Sequence, residues 1–116
     1  MTTTLYGIPN CDTVKKARAF LTQHEVAHAF HDFKKLGVPA EQLDRWLAAL
    51  GWERVLNRKG NTWRQLDAQA QAAVVDVASA RALMLAQPSV IKRPVLDHDG
   101  RLSVGFDAPA WAREFG

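Results

Sequence analysis

At Cys11 the chain changes its period, and that switch restricts the fold more than any other feature. Residues 3–7 (Thr-Thr-Leu-Tyr-Gly) are β-branched and aromatic and end in a turn former, so they read as a strand. Ile8-Pro9-Asn10 is a turn, because proline cannot continue a central strand. From Cys11 to about His24 the pattern is helical: Val14, Ala17 and Leu21 recur on one face with Phe20 beside them, and Lys15, Lys16 and Arg18 are on the polar side. Strand, short turn and helix are the opening of a β-α-β unit.

The remainder supplies what such a unit needs. Residues 27–32 form a short second strand anchored by Phe30, and residues 33–37 read as a basic loop. Val38-Pro39 opens a helix with proline at or near its first turn. Leu43, Trp46, Leu47 and Leu50 give its apolar stripe, and Gly51 stops it. Residues 52–66 are irregular or hold short helical pieces. Asp67 is placed to cap a helix over 68–75, and Ser79 one over 79–86 that Pro88 ends. Residues 90–96 are a loop entering a strand, Asp99-Gly100 is a hairpin turn, and 102–106 pair back. An amphipathic helix over 109–115 closes the chain. The order predicts an α/β fold: a thioredoxin-like mixed sheet (β-α-β, then β-β-α) with a helical insertion between the second and third strands. The length, 116 residues, predicts a single domain over 1–116.

With one cysteine no intrachain disulfide is possible, so the core must hold the fold. A hydrophobic share of 47% supplies that core. The net charge of +3 is scattered over Lys15-Lys16, Lys34-Lys35, Arg58-Lys59 and Lys92-Arg93. A nucleic-acid binder gathers such charge into one stripe, so no direct nucleic-acid partner is expected. A solvated surface is the plain reading of these pairs, and small anions are the functional one. The first residues lack a signal-peptide pattern, and no apolar run is long enough for a bilayer. A cytoplasmic protein with no membrane partner is expected.

Cys11 opens the first helix, where unsatisfied N–H groups and about half a unit of positive charge favour a thiolate over a thiol. Lys15 and Lys16 add positive potential, and the hydroxyl of Thr13 adds a donor for a bound oxyanion. The alternative is a buried structural cysteine, common among free thiols. The position between turn and helix, outside the apolar stripe, argues against it. In the thioredoxin-like arrangement the loop before the third strand faces the nucleophile. Pro94 is there, and X-Pro bonds alone adopt the cis form at modest cost. Arg93 then brings a fork of N–H donors suited to oxyanions or carboxylates.

The run Tyr6-Gly7-Ile8-Pro9-Asn10-Cys11-Asp12-Thr13-Val14-Lys15-Lys16-Ala17 resembles the opening of the YffB subgroup of the ArsC/Spx family, arsenate-reductase-like proteins of thioredoxin-like fold. The likeness continues through residues 57–64 (Asn-Arg-Lys-Gly-Asn-Thr-Trp-Arg) and Ile91-Lys92-Arg93-Pro94. In the glutaredoxin-coupled arsenate reductases the family cysteine attacks arsenate, glutathione attacks the adduct, and three arginines bind the oxyanion. The resemblance carries the cysteine to Cys11 and two arginines to Arg58 and Arg93. The third position falls on Val104, and Arg101 is a stand-in three residues away. Asn10, Lys15 and a cis Pro94 are supporting residues. Asp12 replaces a small neutral residue; a carboxylate there repels anions, or serves the helix dipole.

The resemblance therefore implies a glutathione-dependent thiol reductase, with no tightly bound cofactor. Glutathione is the co-substrate, a small oxyanion or disulfide the substrate, and glutaredoxin a possible recycling partner. The alternative it implies is a transcriptional regulator of the Spx/MgsR branch that binds RNA polymerase. That branch switches through a Cys-x-x-Cys pair, and here the second position is Val14. A metal function through His24, His28, His31 and His98 finds no ligand spacing, since His28 and His31 on one strand point to opposite faces.

Overall fold

The β-branched run at the start forms β1 (Thr3–Gly7), and two strands pair with it. In the computed structural model, which describes residues 2–115, β2 (Ala29–Asp32) runs parallel to β1, and β3 (Val95–His98) antiparallel to it. The last strand, β4 (Arg101–Val104), pairs antiparallel with β3, giving the order β2-β1-β3-β4. A parallel pair needs a crossover, and α1 (Asp12–Gln23) supplies it. The closing helix is α8 (Ala108–Phe115).

Side chains of successive strand residues alternate between faces. The row Phe30, Leu5, Leu96, Ser103 lies on one face and the row His31, Tyr6, Val95, Val104 on the other. Leu5 and Leu96 are buried with Ala17 and Leu21 of α1 and Trp111 of α8. Phe20, Phe106 and Phe115 complete this core with edge contacts to Trp111; Phe106 meets it at 4.8 Å and 90°.

Gly7 sets how closely α1 approaches β1. A Cβ there would lie 2.9 Å from Cγ2 of Val14, which is fully buried and β-branched, so it has little freedom to move aside. The hairpin turn needs left-handed backbone at both central residues, and Asp99 and Gly100 provide it with φ of 53° and 89°. The Asp97 carboxylate accepts from the Gly100 amide at 3.0 Å and holds the turn.

Residues 37–92 form a compact helical unit of their own, distinct from the unit made by residues up to Leu36 and from Arg93 on. It contains α3 (Ala40–Leu50), α4 (Trp52–Val55), α5 (Asn61–Gln65), α6 (Ala68–Ala72) and α7 (Val77–Ala86), then a 3-10 turn at Pro88–Val90. Leu43, Trp46 and Leu47 bury the stripe of α3, and Ala80 and Met84 that of α7. An isolated antiparallel bridge, Leu56 with Ile91, closes this unit. Beside it the Asn57 amide donates to the Val90 carbonyl and the Lys92 amide to that of Val55, both at 2.7 Å.

Several local expectations are corrected. The segment after β2 is not a basic loop but the short helix α2 (Phe33–Leu36), because the Asp32 carboxylate accepts from the Lys34 amide at 2.8 Å and starts a turn. The cap of α7 is Asp76, and Ser79 is its N3 residue in a reciprocal capping box. The strand β4 begins and ends earlier than expected, at Arg101 and Val104, and α6 stops at Ala72. His28 precedes β2, and its Nδ1 donates to the Val26 carbonyl at 2.9 Å.

Two stability tests follow from these contacts. Gly7→Ala is expected to cost about 1–3 kcal/mol in urea unfolding, the usual range for overpacking; an unchanged midpoint would show that α1 shifts freely. Hydrogen bonds from the Ser79 amide and then its hydroxyl hold the Asp76 carboxyl below its ordinary 3.8. A depressed value in the folded state stabilises fully above that ordinary value, and the effect is lost as pH falls through the folded one. The Tm gap between the protein and Asp76→Ala should therefore be widest near neutrality and shrink in acid. A gap independent of pH would count against it.

Candidate active site around Cys11

Cys11 is the N-cap residue of α1, with extended backbone (φ −135°, ψ 124°). Its carbonyl accepts from the Lys15 amide at 2.9 Å, which starts the helix. The amides of Asp12, Thr13 and Val14 therefore open the first turn without an intrahelical acceptor. At this position a side-chain acceptor ordinarily reaches back to those amides, and here the side chain makes no such bond. The thiol is free and partly exposed. Asn10, Asp12, Thr13 and Lys15 around it are exposed, and Asp12 puts its carboxylate in the first turn.

The register brings a second element to the same end of the sheet. Tyr6 pairs with Val95, so the next row joins Gly7 to Pro94, with Asp32 on the far side of Gly7. The Arg93–Pro94 bond is cis; Pro94 is fully buried and Arg93 half-buried. The Pro94 carbonyl accepts from the Gly105 amide at 2.9 Å, which fastens the end of β4 beside it. Val104, paired with Val95, occupies the strand position to which the resemblance assigns a third arginine. Arg101 pairs with His98 at the opposite end of the hairpin, three residues or about 10 Å along the strand. Its place speaks against the stand-in role, because Cys11 follows the other end of β1.

Arg58 belongs to the helical unit, exposed, with its guanidinium 5.4 Å from the ring of Trp52 and 5.9 Å from that of Trp63. The Asn57 carboxamide oxygen accepts from the Lys59 amide at 3.1 Å and shapes this turn. Trp63 thus packs beside the arginine, whereas Trp46 and Trp111 are core.

The histidines are engaged elsewhere. His24 donates to the Phe20 carbonyl at 3.0 Å, His98 shares a 2.8 Å hydrogen bond with the Thr3 hydroxyl, and His31 lies between the rings of Tyr6 and Phe33. Among the described residues no three His, Cys, Asp or Glu side chains form a group that could hold a metal. No helix among them is long and apolar enough to cross a membrane. Sequence reasoning missed a groove lined by Pro9, Arg18, Phe30, Asp32, Lys35 and Leu36, because its walls come from α1, β2, α2 and the turn before α1.

The Asp12 carboxylate predicts a charge selectivity at the thiol. A neighbouring unit charge is worth about 1 kcal/mol at 4 Å in water. Asp12→Asn should raise the rate of Cys11 alkylation by iodoacetate about three- to sixfold relative to iodoacetamide. An unchanged ratio of the two rates would mean that the carboxylate does not act on incoming anions.

Comparison with known proteins bears on the family and the fold. The ArsC family model matches residues 6–114. A solved structure titled YffB protein is 53% identical, with a TM-score of 0.93 over 99% of this chain and 100% of that one. An arsenate reductase (ArsC) related protein from Brucella melitensis is also 53% identical, with a TM-score of 0.78 over 99% and 95%. The global transcriptional regulator Spx of Streptococcus mutans is 26% identical over 106 residues, 90% of this chain and 76% of that protein. The mixed four-stranded sheet is the thioredoxin-like fold of these proteins, and the chain belongs to the ArsC family.

Proposed function

We propose that this chain is a glutathione-dependent thiol reductase with Cys11 as its nucleophile. The observation that carries the reading is the place of Cys11, an N-cap side chain free of any cap bond at the sheet end where the cis Arg93–Pro94 peptide begins β3. In the reaction the Cys11 thiolate attacks the glutathionyl sulfur of a mixed disulfide. The Cys11–S–S–glutathione bond forms as the substrate's S–S bond breaks, and the departing thiolate takes a proton from water. A second glutathione thiolate then attacks the glutathionyl sulfur, giving glutathione disulfide and restoring the Cys11 thiolate. The chain has one cysteine, so the resolving thiol must come from outside, from glutathione or from glutaredoxin.

In this reading Arg93 stabilises the developing negative charge, with the first-turn amides and the Thr13 hydroxyl as further donors. Lys15 and Asn10 border the thiol, and the buried Pro94 immediately precedes β3. Arg58 enters through the family resemblance alone, as a second anion contact. Val104 in place of a third guanidinium, and the charge of Asp12, favour a disulfide over arsenate as substrate.

The similarity to Spx supports a second reading, a regulator that binds RNA polymerase. Val14 stands where that branch has its second cysteine, and it is fully buried against Gly7. Such a regulator would have no local disulfide switch.

A paired assay tests these readings. Glutathione mixed disulfides and arsenate are offered separately with glutathione, alongside Cys11→Ser, Arg93→Ala and Arg58→Ala. The disulfide should turn over faster, Cys11→Ser should abolish turnover, and Arg93→Ala should lower kcat/KM about 10- to 100-fold, the range for losing a charged hydrogen bond. Turnover that survives in Cys11→Ser would sink the mechanism. Co-purification with RNA polymerase, together with no turnover of either substrate, would favour the regulator.

A further inference from the structure

The groove beside α1 lies within the sheet-bearing unit and reaches Pro9, two residues before Cys11. Cys11, Lys15 and Arg18 follow one another at intervals of four and three residues, so they share one flank of α1. The buried stripe of Val14, Ala17 and Leu21 occupies a different face. The Arg18 guanidinium lies 4.3 Å from the centroid of the Phe30 ring on β2, a stacking that holds its fork in place. Lys35 and Leu36 of α2 complete the wall, and Leu36 is 68% exposed.

The charges of this groove are unbalanced. Among the described residues neither Arg18 nor Lys35 has a carboxylate partner. The single acid in the lining, Asp32, accepts a hydrogen bond from the Lys34 amide at the start of α2. Two cations therefore face an apolar lining of Pro9, Phe30 and Leu36.

We propose that this groove receives the carboxylate-bearing end of a small peptide thiol, or of its disulfide, whose sulfur is at Cys11. The inference rests on the thiol-reductase reading and adds to it the subsite that holds the carboxylates of the co-substrate. Arg18 is seven residues, or about 10 Å, along the helix from Cys11. Long helical side chains lean back toward the N-terminus, which shortens that gap. One peptide residue spans about 3.3–3.6 Å, so a tripeptide thiol with terminal carboxylates reaches from Cys11 to Arg18 and Lys35. A simple thiol without carboxylates reaches neither. The apolar lining suits the methylene groups between sulfur and carboxylate.

The test compares two disulfides on the full chain. Glutathione disulfide carries carboxylates, and cystamine carries none. The rate at which each modifies Cys11 is followed by intact mass for the protein and for Arg18→Gln, Lys35→Gln and the double variant. The double variant should react about tenfold more slowly with glutathione disulfide, equivalent to about 1.4 kcal/mol. With cystamine its rate should be unchanged or higher. Equal slowing with both reagents, no slowing with either, or no reaction of the unaltered protein with glutathione disulfide would each overturn the subsite. Turnover without carboxylate selectivity removes the subsite and leaves the reductase reading standing. Selectivity without turnover does the reverse.

Discussion

The end of the sheet that leads into Cys11 depends on how closely α1 can rest on β1. Gly7 is the last residue of the strand and Val14 the third of the helix, and the two meet where a methyl group would not fit. Only the short run from Ile8 to Cys11 separates the strand from the helix along the chain. Once Val14 is seated on Gly7, the turn has little freedom left, and Cys11 becomes the N-cap. The absence of one side chain on the strand thereby sets Cys11 at the amide end of a helix.

Around that thiol the charges are mixed rather than uniformly positive. The helix terminus favours an anion, as Arg93 does in the proposed reaction, while the Asp12 carboxylate opposes one and complements the dipole. A tetrahedral oxyanion demands several cationic donors at once, whereas a sulfur–sulfur bond develops charge mainly on its departing sulfur. The Val104 position, apolar and paired with Val95, leaves the sheet end with fewer guanidinium groups than the family's arsenate chemistry uses. This is the physical basis for favouring a disulfide substrate.

Much of this was legible in the sequence, where local rules and packing agree. The first strand, the helix from Cys11 and the Asp99-Gly100 turn each follow from the residues themselves, whereas Pro94 was a candidate for the cis form only through the thioredoxin-like arrangement. The failures arose where one residue type had two roles. Asp32 looks like the end of a strand, yet its carboxylate starts α2. Asp76 and Ser79 are both good caps three residues apart, and only their reciprocal bonds decide which is the cap. Arg18 on Phe30 had no signal at all, because α1 and β2 come together only through the sheet. Arg101 illustrates the converse: three positions in sequence look close, but in a strand they separate the two ends of a hairpin.

The register of β1 also has a temporal side. Its parallel partner comes from 25 residues away, Thr4 with Ala29, but its antiparallel partner comes from about 90 residues away, Tyr6 with Val95. On a ribosome the strand, the helix and the thiol emerge while most of the chain is still unmade. Arg93 and its proline join them only when β3 has been synthesised and has closed a very long loop. The nascent chain thus carries Cys11 well before Arg93, and the end of the sheet that Cys11 follows is completed only after β3 has paired with β1.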